Sequence, residues 1–221
     1  VLTHEIMNSI TPVTSLAKTS SHLVQDALDR DRRGEPVRDD LADLQDAVDT
    51  VARRSDSLTQ FVDGYRQITR LAPPEKKRTR IADLFESALR LATAECPRDD
   101  VSFETNIEPA ELDVYVDRDL IEPVLINLLR NAWQACSDRS SPVIRLDAHL
   151  NRRNNVTVEI ADNGTGVPDS TAKKVFVPFY TTKEGGSGVG LALARQVMIA
   201  HGGFIRLRNN KAGGATFTLT F

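Results

Sequence analysis

The sequence predicts a chain of α plus α/β class. A helical hairpin that assembles as a dimeric four-helix bundle precedes an α/β sandwich, in which helices cover one face of a mixed sheet. Three observations predict this. Residues 1–71 hold two long stretches of helical apolar spacing. Pro73, Pro74 and the charged run EKKRTR then interrupt the chain. Beyond them, short alternating segments are interspersed with helical ones, the pattern of a sheet with helices on one face. The expected domains are therefore 1–72, a linker at 73–78, and 79–221.

The first helix covers residues 1–31, where Ile6, Ile10, Val13, Ala17, Ser20, Val24 and Ala27 return at helical spacing and mark one face. Pro12 removes a backbone donor and should bend it locally. Val1 stands only three residues before His4, so an upstream region is expected. The polar turn DRRGEP, residues 31–36, joins this helix to a second over Val37–Leu71. There Leu41, Leu44, Val48, Val51, Ser55, Leu58, Val62, Tyr65 and Thr69 alternate spacings of three and four, a heptad pattern. At 1.5 Å per residue this helix is roughly 50 Å long. Two such helices leave an apolar seam that a second copy would bury, which predicts a homodimer.

After the prolines, helices are expected at Ile81–Ala94, Asp119–Cys136 and Val189–Ala200. Strands are expected at Val101–Ile107, Leu112–Val116, Val143–Leu150, Val156–Asp162, Phe204–Arg208 and Ala215–Phe221. Composition narrows the function classes. A net charge of -3 argues against a nucleic-acid binder, and no apolar run approaches a membrane span. Any membrane anchor would have to lie in the upstream region. Cys96 and Cys136 have no metal-ligand spacing and are expected as reduced thiols, which fits a cytoplasmic setting.

The chemistry concentrates in 156–193. The strand VTVEIAD ends at Asp162 and opens into DNGTGVP, a loop built on Gly164 and Gly166 that can receive something flat. A carboxylate at its mouth accepts a hydrogen bond from an exocyclic amine, which selects adenine over guanine. Further on, GGSGVG, with Gly186, Gly188 and Gly190, runs into the apolar helix beginning at Leu191, so free N–H groups would face an anion such as a triphosphate. No Gly-Lys-Ser/Thr follows, and no βαβ unit surrounds the glycines, so neither common phosphate fingerprint applies. The helix DLIEPVLINLLRNAWQA carries two amides, Asn127 and Asn131, four residues apart on one face. Asn131 can offer a neutral oxygen to Mg²⁺, a cation that keeps its waters and needs few protein ligands. An ordinary exposed polar face accounts for such amides equally well until the glycine loops are considered. For His22, His149 and His201 no metal spacing exists, and Trp133 reads as packing.

NLLRNA at 127–132, DNGTG at 162–166, FVPF at 176–179 and GSGVGL at 186–191 resemble, in order, the asparagine, first glycine, phenylalanine and second glycine boxes of sensor histidine kinases. HEIMN at 4–8 is similar to the matching phospho-acceptor box. The resemblance implies a dimerisation and phosphotransfer hairpin followed by an ATP-binding domain of the class shared with DNA gyrase and mismatch-repair ATPases. It implies that His4 is the nucleophile toward the γ-phosphate of ATP and that Glu5 accepts the proton of its other ring nitrogen. Asn8 would orient water for dephosphorylating a partner, although an exposed polar face explains it as well, and a proline that often follows this asparagine is replaced by Ser9. The phosphoryl group would pass to an aspartate of a response-regulator receiver domain.

Lys183 stands where it can approach the phosphates, and Thr216 resembles a threonine that acts near adenine with Asp162. Phe176 and Phe179 would anchor a lid formed by 184–188. Asn127 occupies a position where gyrase-type ATPases commonly place a glutamate base. An amide cannot take that proton, which favours transfer over hydrolysis. A gyrase-type ATPase and a non-catalytic nucleotide-binding scaffold are the alternatives.

Overall fold

The computed structural model describes residues 2–34, 37–69, 71–96, 100–183 and 187–221, without the side chains of 2–12 and of parts of the second helix. The chain divides into two compact units, Val1–Tyr65 and Arg66–Phe221.

The first unit holds α1 (Leu2–Arg32) and most of α2 (Arg38–Thr69). The turn after α1 closes when Gly34, at φ +73°, donates its N–H to Asp31 O at 2.9 Å. The covered face of α1 differs from the expected one. Val13, Leu16, Ser20, Leu23 and Ala27 are the covered positions, whereas Ala17 and Val24 are exposed. Both sets share Val13, Ser20 and Ala27 and both alternate by three and four. The one containing two leucines removes more apolar surface from water, and it is the one buried. On α2, Leu44, Ala47, Val51 and Ser55 are partly covered. Val24, Leu28, Leu41 and Val48 keep 40%, 53%, 54% and 50% of their surface exposed, so this unit carries a second apolar set beyond the covered one.

The second unit is built on a five-stranded sheet in the order β2-β4-β5-β7-β6. Its strands are β2 (Ser102–Glu108), β4 (Val143–Leu150), β5 (Val156–Asp162), β6 (Phe204–Asn209) and β7 (Ala215–Thr220). β2 and β4 run parallel and the other neighbours antiparallel, the expected mixed sheet. Alternation along the strands sends Ile144, Leu146 and Ala148, then Val158 and Ile160, then Phe217 and Leu219 to one face. Helices α3 (Ile81–Glu95), α4 (Arg118–Ala135) and α6 (Gly190–Ala200) supply the other half of this core. From α4 come Ile121, Leu125, Leu128 and Leu129, each at most 1% exposed. Each such side chain contributes about 1.5–3 kcal/mol, so α4 is held tightly and its opposite, amide-bearing face has a fixed position.

Two features were not expected. The strand predicted at 112–116 is β3 (Asp113–Val116), but it leaves the main sheet and pairs antiparallel with β1 (Lys77–Arg80). The end of the expected linker is therefore strand: Lys77 pairs with Val116 and Arg78 with Tyr115. A short α5 (Asp169–Ala172) also interrupts the loop after the first glycine cluster.

The segment before β1 is tied down as well. Asp117, the N-cap of α4, accepts from Asp119 N at 3.1 Å and from Glu75 N at 2.9 Å. Lys76 Nζ donates to His201 O at 2.8 Å. The buried His201 ring caps this arrangement, with Nε2 accepting from Asp117 N at 3.0 Å and Nδ1 lying 2.8 Å from Val197 O. Because Asp117 N can only donate, the ring proton sits on Nδ1.

Candidate functional site

The C-terminal end of β5 delivers Asp162 to the rim of the helix-covered face, where it is 4% exposed. Its Oδ1 accepts from Gly164 N at 2.9 Å and from Ala215 N at 3.2 Å. Oδ2 has no hydrogen bond among the described residues. It is the oxygen that remains to receive a ligand donor. Burial raises the Asp162 pKa, and the two backbone N–H bonds oppose that rise. Gly164 rests on the end of α4, where Thr165 N donates to Ala135 O at 3.2 Å and Arg139 Nη2 to Gly164 O at 2.8 Å. Gly166 takes φ +69°.

The floor opposite Asp162 is made by Gly214, which the sequence reading passed over. A Cβ there would lie 2.5 Å from Asp162 Oδ1. Its signal was the pair Gly213-Gly214 immediately before a strand. Thr216 is the correction in this region. It pairs with Ala161 across β5 and β7, so strand alternation puts it on the sheet face opposite Asp162. Its Oγ1 accepts from Asn210 Nδ2 at 3.3 Å. Ala215 is the β7 residue that meets the carboxylate.

One turn before that loop contact, α4 presents its amides. Asn127 lies against Gly190, where an added Cβ would be 2.4 Å from its Oδ1, and its Nδ2 is buried with no partner among the described residues. Asn131 Oδ1 accepts from Lys183 Nζ at 2.7 Å, and Gln134 Oε1 accepts from the same ammonium. Lys183 is exposed along much of its length, yet its ammonium end is partly desolvated, which lowers its pKa. Gln134 was missed by sequence reading. Positions 127, 131 and 134 continue one helical stripe, and that spacing was the available signal.

The segment carrying Lys183 is pinned at its base. Phe179 donates its N–H to Gly188 O at 2.8 Å, and both residues have positive φ, +67° and +65°. A Cβ on Gly188 would come within 2.5 Å of the Phe179 backbone, so only glycine fits there. For phenylalanine this backbone is strained, and strain of that kind persists where surrounding contacts enforce it. Phe176 and Leu191 are half-buried and pack against the domain core. Gly186 lies outside the described residues, as do the side chains of His4, Glu5 and Asn8, whose backbone belongs to α1.

Two ligand-binding features thus share one scaffold, a buried carboxylate with an unused oxygen and a set of amide oxygens converging on a positive charge. The donor set fits Mg²⁺. Neutral oxygens already hold a cation at hydrogen-bond distance, and a lone amide suits a metal that brings its own waters and phosphate oxygens. Among the described residues no cluster of His, Cys, Asp and Glu could hold a metal by itself. No helix among them is long and apolar enough to cross a membrane.

Residues 116–221 match the family of histidine kinase-, DNA gyrase B- and HSP90-like ATPases. The sensor protein FixL of Bradyrhizobium diazoefficiens is 28% identical over 99% of this chain and 42% of its own length. The signal transduction histidine-protein kinase AtoS of Escherichia coli is 29% identical over 98% of this chain and 33% of its own. The chain therefore spans less than half of either relative. Among solved structures, the nucleotide-free catalytic domain of histidine kinase ThkA superposes with a TM-score of 0.60 at 28% identity, covering 66% of this chain and 95% of that one. With an ATPase-family segment at 116–221 and kinase relatives aligned along nearly its whole length, the chain is similar throughout to the catalytic core of sensor histidine kinases.

Proposed function

We propose that this chain binds Mg·ATP, transfers the γ-phosphoryl group to His4, and passes it to an aspartate of a response-regulator receiver domain. The observation that carries the proposal is the pairing of Asp162, with one carboxylate oxygen unused, and the Asn131–Gln134 amides closed on a cation, on either side of one glycine loop. Asp162 Oδ2 accepts the adenine amine. The backbone of Gly188 and Gly190 faces the phosphates at the start of α6, a role that the family resemblance extends to Gly186, and Asn127 lines the same end. Asn131 is the protein ligand of Mg²⁺, which when bound neutralises charge on the phosphate oxygens. Phe176 and Phe179 anchor the segment that carries Lys183 to them.

In the transfer, a neutral ring nitrogen of His4 attacks the γ-phosphorus, the bond to the ADP oxygen breaks, and Glu5 takes the proton from the other ring nitrogen. Imidazole is substantially neutral near pH 7, so the nucleophile needs little activation. The P–N bond formed is labile, which suits onward transfer to a carboxylate. Asn8, one helical turn beyond His4, orients water for dephosphorylating a partner. An amide at Asn127 supplies no base for water, which sets this chain apart from the gyrase-type ATPases.

The active unit is a homodimer, in which Val24, Leu28, Leu41 and Val48 meet a second copy. Residues 1–72 form the dimerisation and phosphotransfer domain, 73–78 the linker, and 79–221 the ATP-binding domain, all in the cytoplasm. The experiment is incubation with γ-labelled Mg·ATP. An acid-labile, alkali-stable label is expected on the wild type and on neither His4→Gln nor Asn131→Asp. An acid-stable label, or steady ATP hydrolysis that survives loss of His4, would refute the reading.

A further inference from the structure

The ammonium of Lys183 occupies the oxygens that the proposed function gives to the metal. Its Nζ lies 2.7 Å from Asn131 Oδ1 and is held also by Gln134 Oε1. These are its only hydrogen-bond partners through Nζ among the described residues. Two neutral amide oxygens have no charge to offer, so what they provide is a dipolar pocket for one positive charge. Asn131 Oδ1 cannot serve an ammonium and a divalent ion together, because two cations at contact distance from one oxygen repel each other strongly. Lys183 is also placed to leave. Its stem is exposed, and the segment that carries it is closed at its base by the bond from Phe179 N–H to Gly188 O.

We infer that Lys183 is an internal cation that fills the metal position at Asn131 and Gln134 and competes with Mg²⁺ for it. The inference rests on the Mg·ATP reading above and adds two positioning roles to it. Gln134 becomes the second oxygen of the cation pocket. Lys183 becomes the group whose departure accompanies metal entry. With the ammonium in place, the side-chain oxygens of Asn131 and Gln134 both have a partner. Bound nucleotide without metal still finds a positive charge at this position, whereas metal-bearing nucleotide must first displace it. The measurable consequence is how strongly nucleotide binding depends on Mg²⁺. In the wild type that dependence is muted at both ends, since Lys183 substitutes for the metal when it is absent and opposes it when it is present.

The test is calorimetry of a non-hydrolysable ATP analogue binding to the whole chain, in excess Mg²⁺ and in excess chelator. The readout is the dissociation constant in chelator divided by that in Mg²⁺. Lys183→Met is expected to raise that ratio by about tenfold, as when a competitor holds the site about nine-tenths of the time. Lys183→Arg, which restores a cation, should return it toward the wild-type value. Thermal melting of each variant separates these effects from misfolding. A ratio unchanged or lowered in Lys183→Met, with the protein folded, overturns the inference while leaving the Mg·ATP reading intact. Failure of the folded wild type to bind the analogue under either condition defeats that reading itself, and the inference with it.

Discussion

Asp162 is a carboxylate held inside the domain, and the protein bears a cost for it. Its raised pKa means that the folded state prefers the protonated form. The favourable contribution is complete below the unfolded-state pKa and is lost as pH rises through the higher folded one, so at neutral pH the ionised group opposes folding. Asp162→Asn removes the charge while its amide oxygen can still accept from Gly164 N and Ala215 N. We expect this variant to melt no lower than the wild type at pH 7 and to lose adenine-nucleotide affinity by about 10- to 100-fold, the value of a charge-assisted hydrogen bond. Melting curves and calorimetry check the two halves separately. Asp162, Asn131 and the glycine clusters were legible because their residue types are costly where they stand: a carboxylate ending an apolar strand, amides in a helix, glycines before one. Thr216 misled because its residue type was read without its strand register, and a shift of one position moves a side chain to the other face. Gln134 and Ala215 gave no compositional signal, since a glutamine on a helix and an alanine in a strand are unremarkable until their neighbours are known.

At the scale of elements, the long helices and the main sheet followed from periodicity, whereas partner choice did not. The stretch at 112–116 reads as strand by alternation, and nothing in it says that it pairs with Lys77–Arg80 in a separate two-stranded sheet. The faces of α1 illustrate the same limit. Val13, Ser20 and Ala27 belong to two overlapping heptad stripes, and only packing selects the one with Leu16 and Leu23. The apolar set left over gives the dimer prediction. Val48→Glu places a charge in a symmetric interface twice. With ~1.5 kcal/mol lost per copy, dimerisation should weaken by about a hundredfold. Analytical ultracentrifugation should show a shift toward monomer, with nucleotide affinity of the ATP-binding domain unchanged. A variant that remains dimeric over the same concentration range would exclude this apolar set from the interface.

For the whole molecule, the connector between the two proposed domains is tied at its end to the second of them. Glu75 N is fixed on Asp117, and Lys76 on the carbonyl of His201. Lys76→Met should leave nucleotide affinity unaltered while speeding hydrogen exchange at the Glu75 amide by about tenfold, the loss of one charge-assisted contact. Mass spectrometry of the exchanged protein reads this directly. The feature with the widest consequence is the position of α6. Gly190 at its first turn abuts Asn127, and His201 at its far end holds Lys76 of the connector through its carbonyl and the N-cap residue Asp117 of α4 through its ring. Eleven residues of helix form a stiff rod of about 16 Å. Mechanically it is a strut: one rigid element spans the distance from the Asn127 amide to the segment that holds Lys76.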